Sequence, residues 1–473
     1  MTFTLKQVVG LATLWLLASC SNLSQPKASE LSAPHSLQAA WVVIGAQGQP
    51  VARVITTAPD CPALMLDGKG VAMQVRARPA TLAQRPLNAA SSAMSSEKPA
   101  QFPVLTCEAE IKPGVVSASV AGHKLPMPKS LPLKILVLGD TGCRLKAQTN
   151  YFQPCNDAKH WMFPQVARVA AQFAPDLVIH VGDYQYRESP CPANISACAD
   201  SPWGFGWDTW QADFFTPAAP LLAAAPWVMA RGNHESCSRA GQGWWRFLDP
   251  RGLQVGRDCN LVGDDLQGDY SAPYAVPVGG GAQLIVFDSS AAGTKPLAKT
   301  DTAFTLYQNQ FRQVDQLAAQ AAFSIFIEHH PVLGFAPDKS RGDEVQVKPG
   351  NGALQSVMQE QHPQSLFDPG VQLLLAGHVH LFEALTFSTG HPMQIVSGNG
   401  GSSPDVALPA QLPEHATPFA PAVVDQFSSS SRSGFTTLER TPDNISAWTI
   451  KSWDQNGALL LTCHIANGSR NCG

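Results

Sequence analysis

Five runs of sequence end in residues able to hold a cation. Gly139-Asp140 follows Ile135-Leu136-Val137-Leu138, and Gly182-Asp183-Tyr184-Gln185-Tyr186 follows Leu177-Val178-Ile179-His180-Val181. Gly232-Asn233-His234-Glu235 follows Trp227-Val228-Met229-Ala230. His329-His330-Pro331 follows Phe323-Ser324-Ile325-Phe326-Ile327, and Gly377-His378-Val379-His380 follows Val371-Gln372-Leu373-Leu374-Leu375. The donors are Asp140, Asp183, Tyr186, Asn233, His329, His378 and His380, with oxygen and imidazole but no thiolate. Such a set suits Fe, Mn or Zn. It exceeds one tetrahedral site. A shared carboxylate would bridge two ions about 3.5–4 Å apart, the geometry used for in-line displacement at phosphorus. A Gly-Asp after a strand is commonly a turn, and a lone His-x-Pro commonly a loop. The inference is carried by five such endings together.

The apolar runs read as strands buried on both faces. Residues 161–173 and 304–322 carry apolar side chains at helical spacing. In open α/β sheets ligands bind beyond the carboxyl ends of the strands, so five strands are expected to bring their polar ends to one rim. Residues 38–128 differ in texture. Short β-branched runs such as Trp41-Val42-Val43-Ile44, Val51-Ala52-Arg53-Val54-Ile55, Val71-Ala72-Met73-Gln74-Val75 and Val115-Val116-Ser117-Ala118-Ser119-Val120 recur between turns, as in a β-sandwich. The expected fold class is α/β: an N-terminal β-sandwich, then from 132 to 473 an α/β sandwich with a buried mixed-sheet core. Residues 86–100, 337–351 and 402–434 read as loops, the last two placed to set substrate choice.

The chain has 473 residues, long enough for two or three domains at about 150 residues each. Charged residues are 14%, against roughly 25% in an average protein. The net charge is -4. Those figures argue against a basic nucleic-acid surface, an acidic tail or a charged coiled coil. No repeat period is visible, which removes solenoids and propellers.

Lys6 precedes an apolar run that is too short to span a bilayer, and Leu17-Ala18-Ser19-Cys20 follows it. Residues 1–19 read as a signal peptide. The last four residues resemble a bacterial lipobox, which implies lipidation at Cys20 and a tether over 20–37. Ser21 in place of Asp fits delivery to the outer membrane. The expected location is the cell envelope, with membrane contact only through the lipid. Ten further cysteines form near neighbours: Cys61/Cys107, Cys143/Cys155, Cys191/Cys198, Cys237/Cys259 and Cys463/Cys472. In an oxidising compartment, pairing within neighbours is the simplest connectivity. A thiolate metal site is the rival, but no Cys-x-x-Cys spacing occurs.

The five-block order resembles the calcineurin-like metallophosphoesterases from about residue 133 to 450. Within that superfamily it looks like the purple acid phosphatases. Gly142 stands where many relatives have a histidine, and Tyr186 in Gly-Asp-x-x-Tyr can supply the missing ligand. The region before it is similar to the fibronectin-type-III-like domain of larger purple acid phosphatases. The resemblance implies Asp140, Tyr186 and His380 on Fe(III), and Asn233, His329 and His378 on Fe(II), Zn or Mn, with Asp183 bridging. His329 is taken over His330 because the family spacing is His-x-Pro. His234 would contact substrate phosphate and protonate the leaving group. His330 would line the pocket or contact phosphate, and Glu235 would orient His234. His180 reads as core and Asp288 as support, while Gly398-Asn399-Gly400-Gly401 lets backbone approach the rim. The implied activity is hydrolysis of phosphate monoesters by in-line attack of metal-bound hydroxide, as in an acid phosphatase. The alternatives are a phosphodiesterase of the same superfamily and a non-catalytic phosphate- or metal-binding surface lipoprotein. The expected partner is a small phosphorylated substrate; no protein partner or nucleic-acid surface is inferred.

Overall fold

Three of the five expected strands lie parallel and adjacent: Lys134–Leu138, Leu177–His180 and Trp227–Met229. Leu138 pairs with His180 and His180 with Met229, so their carboxyl ends fall level. The other two, Phe323–Ile327 and Val371–Ala376, pair in parallel within a second sheet, Ile327 opposite Leu375. The computed structural model describes residues 1–2, 36–83, 85, 98–338, 345–466 and 468–473. All but the first two residues of the expected signal peptide lie outside that set, as do Cys20, nearly all of the tether and most of the 86–100 loop. Residues His35–Gly473 form one compact unit.

Side chains alternate across each strand, and here both faces are covered. Ile135 and Val137 join a core with Leu284, Ile325, Ile327, Leu373 and Leu375 of the other sheet. The alternate Leu136 and Leu138 pack with Phe163, Val166, Ala167 and Phe214 on the outer side. Phe326 and Leu374 do the same beneath Tyr307, Phe311 and Val314. The result is two sheets face to face with helices outside them. The rim expected of one open sheet is therefore formed jointly by the ends of two sheets.

The outer helices bury one stripe each. Phe163–Gln172 buries Phe163, Val166, Ala167 and Ala170, a spacing of three and four. Thr302–Ala318 buries Phe304, Tyr307, Phe311, Val314 and Ala318, and it ends four residues before the expected 322. The segment expected as a loop over 402–434 contains an edge strand, Val424–Ser430, paired with Phe382–Phe387. Its serine-rich, half-exposed sequence hid it from a hydrophobicity pattern, and a polar edge resists pairing with other chains.

The N-terminal strands continue the large sheet. Leu37–Ile44 pairs antiparallel with Pro50–Thr56 and in parallel with Trp227–Met229 through Val43 and Trp227. Leu105–Glu110 and Gln74–Ala77 extend it to eleven strands, and four others form a smaller sheet. The run around Met73 splits, with Lys69–Ala72 in the small sheet and Gln74–Ala77 in the large one. The change of texture near residue 130 is thus not a break in hydrogen bonding. All five expected disulfides form. Two of them, Cys143–Cys155 and Cys237–Cys259, anchor segments just after Asp140 and Asn233.

Candidate metal centre

Three of the five strands end in a sharp reversal. Asp140, Asp183 and His378 have φ of 56°, 60° and 69°, a region that Asp, Asn and His enter at less cost than most residues. The reversal is held by backbone bonds from Asp140 N to Gly182 O and from Thr141 N to Asp183 O, both 3.0 Å. Gly182, at φ 103°, is required by its surroundings. A Cβ there would lie 2.5 Å from His329 Nδ1 and 2.8 Å from Gly232 Cα.

The donors converge on two points. The Tyr186 hydroxyl is 2.9 Å from Asp140 Oδ1, 2.7 Å from Asp183 Oδ2 and 2.8 Å from His380 Nε2. Asn233 Oδ1 is 3.0 Å from His329 Nε2 and 3.1 Å from His378 Nδ1, and Asp183 Oδ2 is 3.2 Å from His329 Nε2. Asp183 belongs to both groups. Ligands at about 2.0–2.1 Å from a cation sit roughly 2.9–3.4 Å from one another, which is the spacing seen.

The tautomers also fit. His329 Nδ1 is 2.9 Å from Val181 O and His380 Nδ1 is 2.7 Å from Ser403 O, so both are N–H donors and each Nε2 turns a lone pair inward. Each Nε2 faces carboxylate, amide or phenol oxygens, an arrangement that a bound cation or a ring proton satisfies. Turned over, the Asn233 amide would donate to both imidazoles; with its oxygen inward it is oriented as a ligand. Electrostatics agree. Burial opposes the His329 cation, yet Asp183 raises it to about 9. Burial likewise opposes Asp183 ionisation, yet His329 and His234 hold it well below the carboxylate range. Burial, Asp140 and Asp183 keep Tyr186 a phenol well above 10 unless a cation offsets them.

Gly142 cannot carry any larger side chain. A Cβ would lie 2.8 Å from Tyr184 O and Tyr186 N, and 2.9 Å from Asp213 Oδ2. Asp213 holds the tyrosine segment, accepting from Tyr186 N at 2.7 Å and Cys143 N at 3.0 Å.

His234 stands beside the centre, its ring centroid 3.9 Å from that of Tyr186. Its partners are Glu188 Oε1 at 3.1 Å from Nδ1 and the Arg239 guanidinium at 2.7 Å. Burial and Arg239 lower it to about 4. Glu235, expected to orient His234, does something else. Its carboxylate accepts from Asp183 N, Tyr184 N, Gln185 N and Gly232 N at 2.8–3.2 Å, shaping the loop that carries Asp183 and Tyr186. His330 is buried beside His378, its Nδ1 3.2 Å from Ser289 Oγ and its ring 4.2 Å from that of His378.

His180 is packed on Tyr184 at 3.8 Å with Nδ1 accepting from Gly182 N, the core role expected. Asp288 supports a loop through Ser271 N. Gly398 and Gly400 allow close approach, since a Cβ would lie 2.1 Å from Val379 O and 2.3 Å from Gly139 O. Glu188, Asp213, Arg239, Ser289, Ser403 and Asp405 were not singled out by the sequence. Asp405 accepts from His380 N at 2.9 Å. No spacing rule links these residues to the strand ends, although Glu188 and Arg239 flank motifs that were read.

The calcineurin-like phosphoesterase family description matches residues 133–382. The chain belongs to that family, whose members hold two metal ions, and the Asp and His clusters here fit such a site. Among solved structures, the purple acid phosphatase PPD1 from yellow lupin (Lupinus luteus) seeds is similar at 16% identity. The match has a TM-score of 0.52 and covers 89% of this chain and 72% of that one. PhoD is similar at 11% identity and TM-score 0.51, covering 93% and 92%. These likenesses concern the fold. Comparison with curated proteins gives no match.

Proposed function

We propose that this phosphoesterase is a binuclear-metal hydrolase of phosphate monoesters, an acid phosphatase. Most support comes from Asp183 Oδ2, which stands 2.7 Å from the Tyr186 hydroxyl and 3.2 Å from His329 Nε2, so one carboxylate serves both donor groups. Asp140, Tyr186 and His380 hold Fe(III). Asn233, His329 and His378 hold Fe(II), Zn or Mn. When bound, the pair supplies Lewis acidity and a water of lowered pKa. The chain's own residues do the rest. Asp140, Asp183, Tyr186 and His329 are at most 1% exposed, so their charges act in a low-dielectric surround. Glu188 and Arg239 fix the His234 ring, which faces substrate phosphate and the leaving oxygen.

The physiological partner is a small phosphorylated molecule rather than a nucleic acid. Residues 38–128 act as a positioning module for the catalytic region 132–473. Export is supported by the complete pairing of the ten cysteines other than Cys20, and anchoring through Cys20 rests on the lipobox-like sequence. No helix among the described residues is long and apolar enough to cross a membrane.

The test is metal analysis and an absorption spectrum of the purified protein, then aryl monoester and diester assays across pH. Two ions, a tyrosinate-to-iron band lost in Tyr186→Phe, and a fall of about a thousandfold or more in kcat/KM for Asp183→Ala are expected. A colourless protein that prefers diesters would refute the monoesterase assignment.

A further inference from the structure

Arg144 follows the first strand-end loop, and its backbone is held in place. Its N–H donates to Gln153 Oε1 at 2.9 Å, and the neighbouring Leu145 N donates to Tyr186 O at 3.1 Å. Leu145 and Lys146 pair with Phe152 and Tyr151 in a two-stranded hairpin stapled by Cys143–Cys155. The backbone at this position is therefore rigid.

The side chain is not tied down in the same way. Among the described residues the Arg144 guanidinium has no hydrogen bond or ion pair, and its Nε is shielded from solvent without a partner. Its one recorded contact is the Tyr151 ring, 6.0 Å from the guanidinium carbon. Tyr151 accepts from Ser403 Oγ at 2.6 Å, and Ser403 O accepts from His380 Nδ1 at 2.7 Å. Arg144 is thus linked to His380 through Tyr151 and Ser403. The half-buried guanidinium, with no partner among the described residues and carried on a rigid element linked to the phosphoesterase centre, is free to take a ligand.

We propose that Arg144 selects the phosphate monoester dianion by binding one of its non-ester oxygens. This rests on the phosphoesterase reading given under the proposed function. A monoester brings three non-ester oxygens and two charges. A diester brings two such oxygens and one charge, with an ester group in the third place. A planar guanidinium gains more from the first, because its fork binds phosphate through charge-assisted hydrogen bonds. Pre-organisation of the hairpin keeps the ordering cost low.

The test uses the metal-loaded protein and Arg144→Gln and Arg144→Lys variants, each checked for wild-type metal content and circular dichroism. Inorganic phosphate binding is measured by calorimetry, and kcat and KM for an aryl monoester and a diester are measured alongside. Arg144→Gln is expected to weaken phosphate binding and to lower the monoester-to-diester ratio of kcat/KM, each about tenfold or more, mainly through KM. Arg144→Lys is expected to recover part of both. Unchanged phosphate affinity in the variants of a wild type that cleaves monoesters overturns this inference and leaves the proposed function standing. So does an altered absorption band with unchanged phosphate affinity, which would mean that Arg144 acts only through Tyr186. A wild type that cleaves diesters alone overturns both, and is recognised before any variant is made.

Discussion

Tyr186 and Gly142 complement each other in space. The backbone of the tyrosine segment occupies the volume a side chain at 142 would need, and the tyrosine hydroxyl closes the donor group. Glu235 shows how a residue beside the chemistry serves it indirectly. Four backbone N–H groups from residues 183–185 and 232 meet one carboxylate. Glu235→Gln would turn an amide N–H₂ toward donors and leave buried N–H groups unmet, each costing about 1–3 kcal/mol. The expected result is a loss of at least about 2 kcal/mol in urea unfolding, together with weaker metal retention on dialysis. Stability equal to wild type would show that the carboxylate is not needed for the loop.

The strand ends are built on glycine where elements meet. Gly232 has an ordinary φ of -95°, so any cost of substitution there is steric. A Cβ would sit 2.1 Å from Asp183 Oδ1 and 2.2 Å from Asp183 N. Gly232→Ala should therefore push the shared carboxylate out of place, weakening metal binding by about tenfold or more and activity with it. Gly252→Ala is the control, since nothing lies within 4 Å of its Cβ position. If the two variants retain metal equally, the close approach at Gly232 does not position the centre.

The two-sheet packing also buries carboxyls away from the centre, with a consequence for pH. Glu383, on Phe382–Phe387, is fully buried and accepts from Phe335 N at 2.9 Å. Burial raises it from 4.5 to about 8. Between those values the unfolded chain has released this proton and the folded protein keeps it. Stability then falls as pH rises through that window, by about 1.4 kcal/mol per pH unit for one proton. Below about 4.5 and above about 8 the group adds no slope. Glu383→Gln should flatten the decline in thermal stability between pH 5 and 8, leaving the variant relatively better at pH 8. Parallel curves for variant and wild type would contradict the assigned burial cost.

The donors, their order and the strands beneath them were legible in sequence because each is written locally. A two-faced strand needs a continuous apolar run, the reversals at Asp140, Asp183 and His378 use Gly with Asp or His, and four of the five cysteine pairs lie only 7–22 residues apart. The five disulfides and the five strands came out as read for that reason. Other features depend on contacts that no local pattern announces. Ser403 reaches His380 Nδ1, Asp213 reaches Tyr186 N, and Arg144 reaches Tyr151, whose hydroxyl meets Ser403. No periodicity encodes such meetings, nor the division of the strands between two sheets, because both follow from how distant surfaces stack to bury their apolar faces.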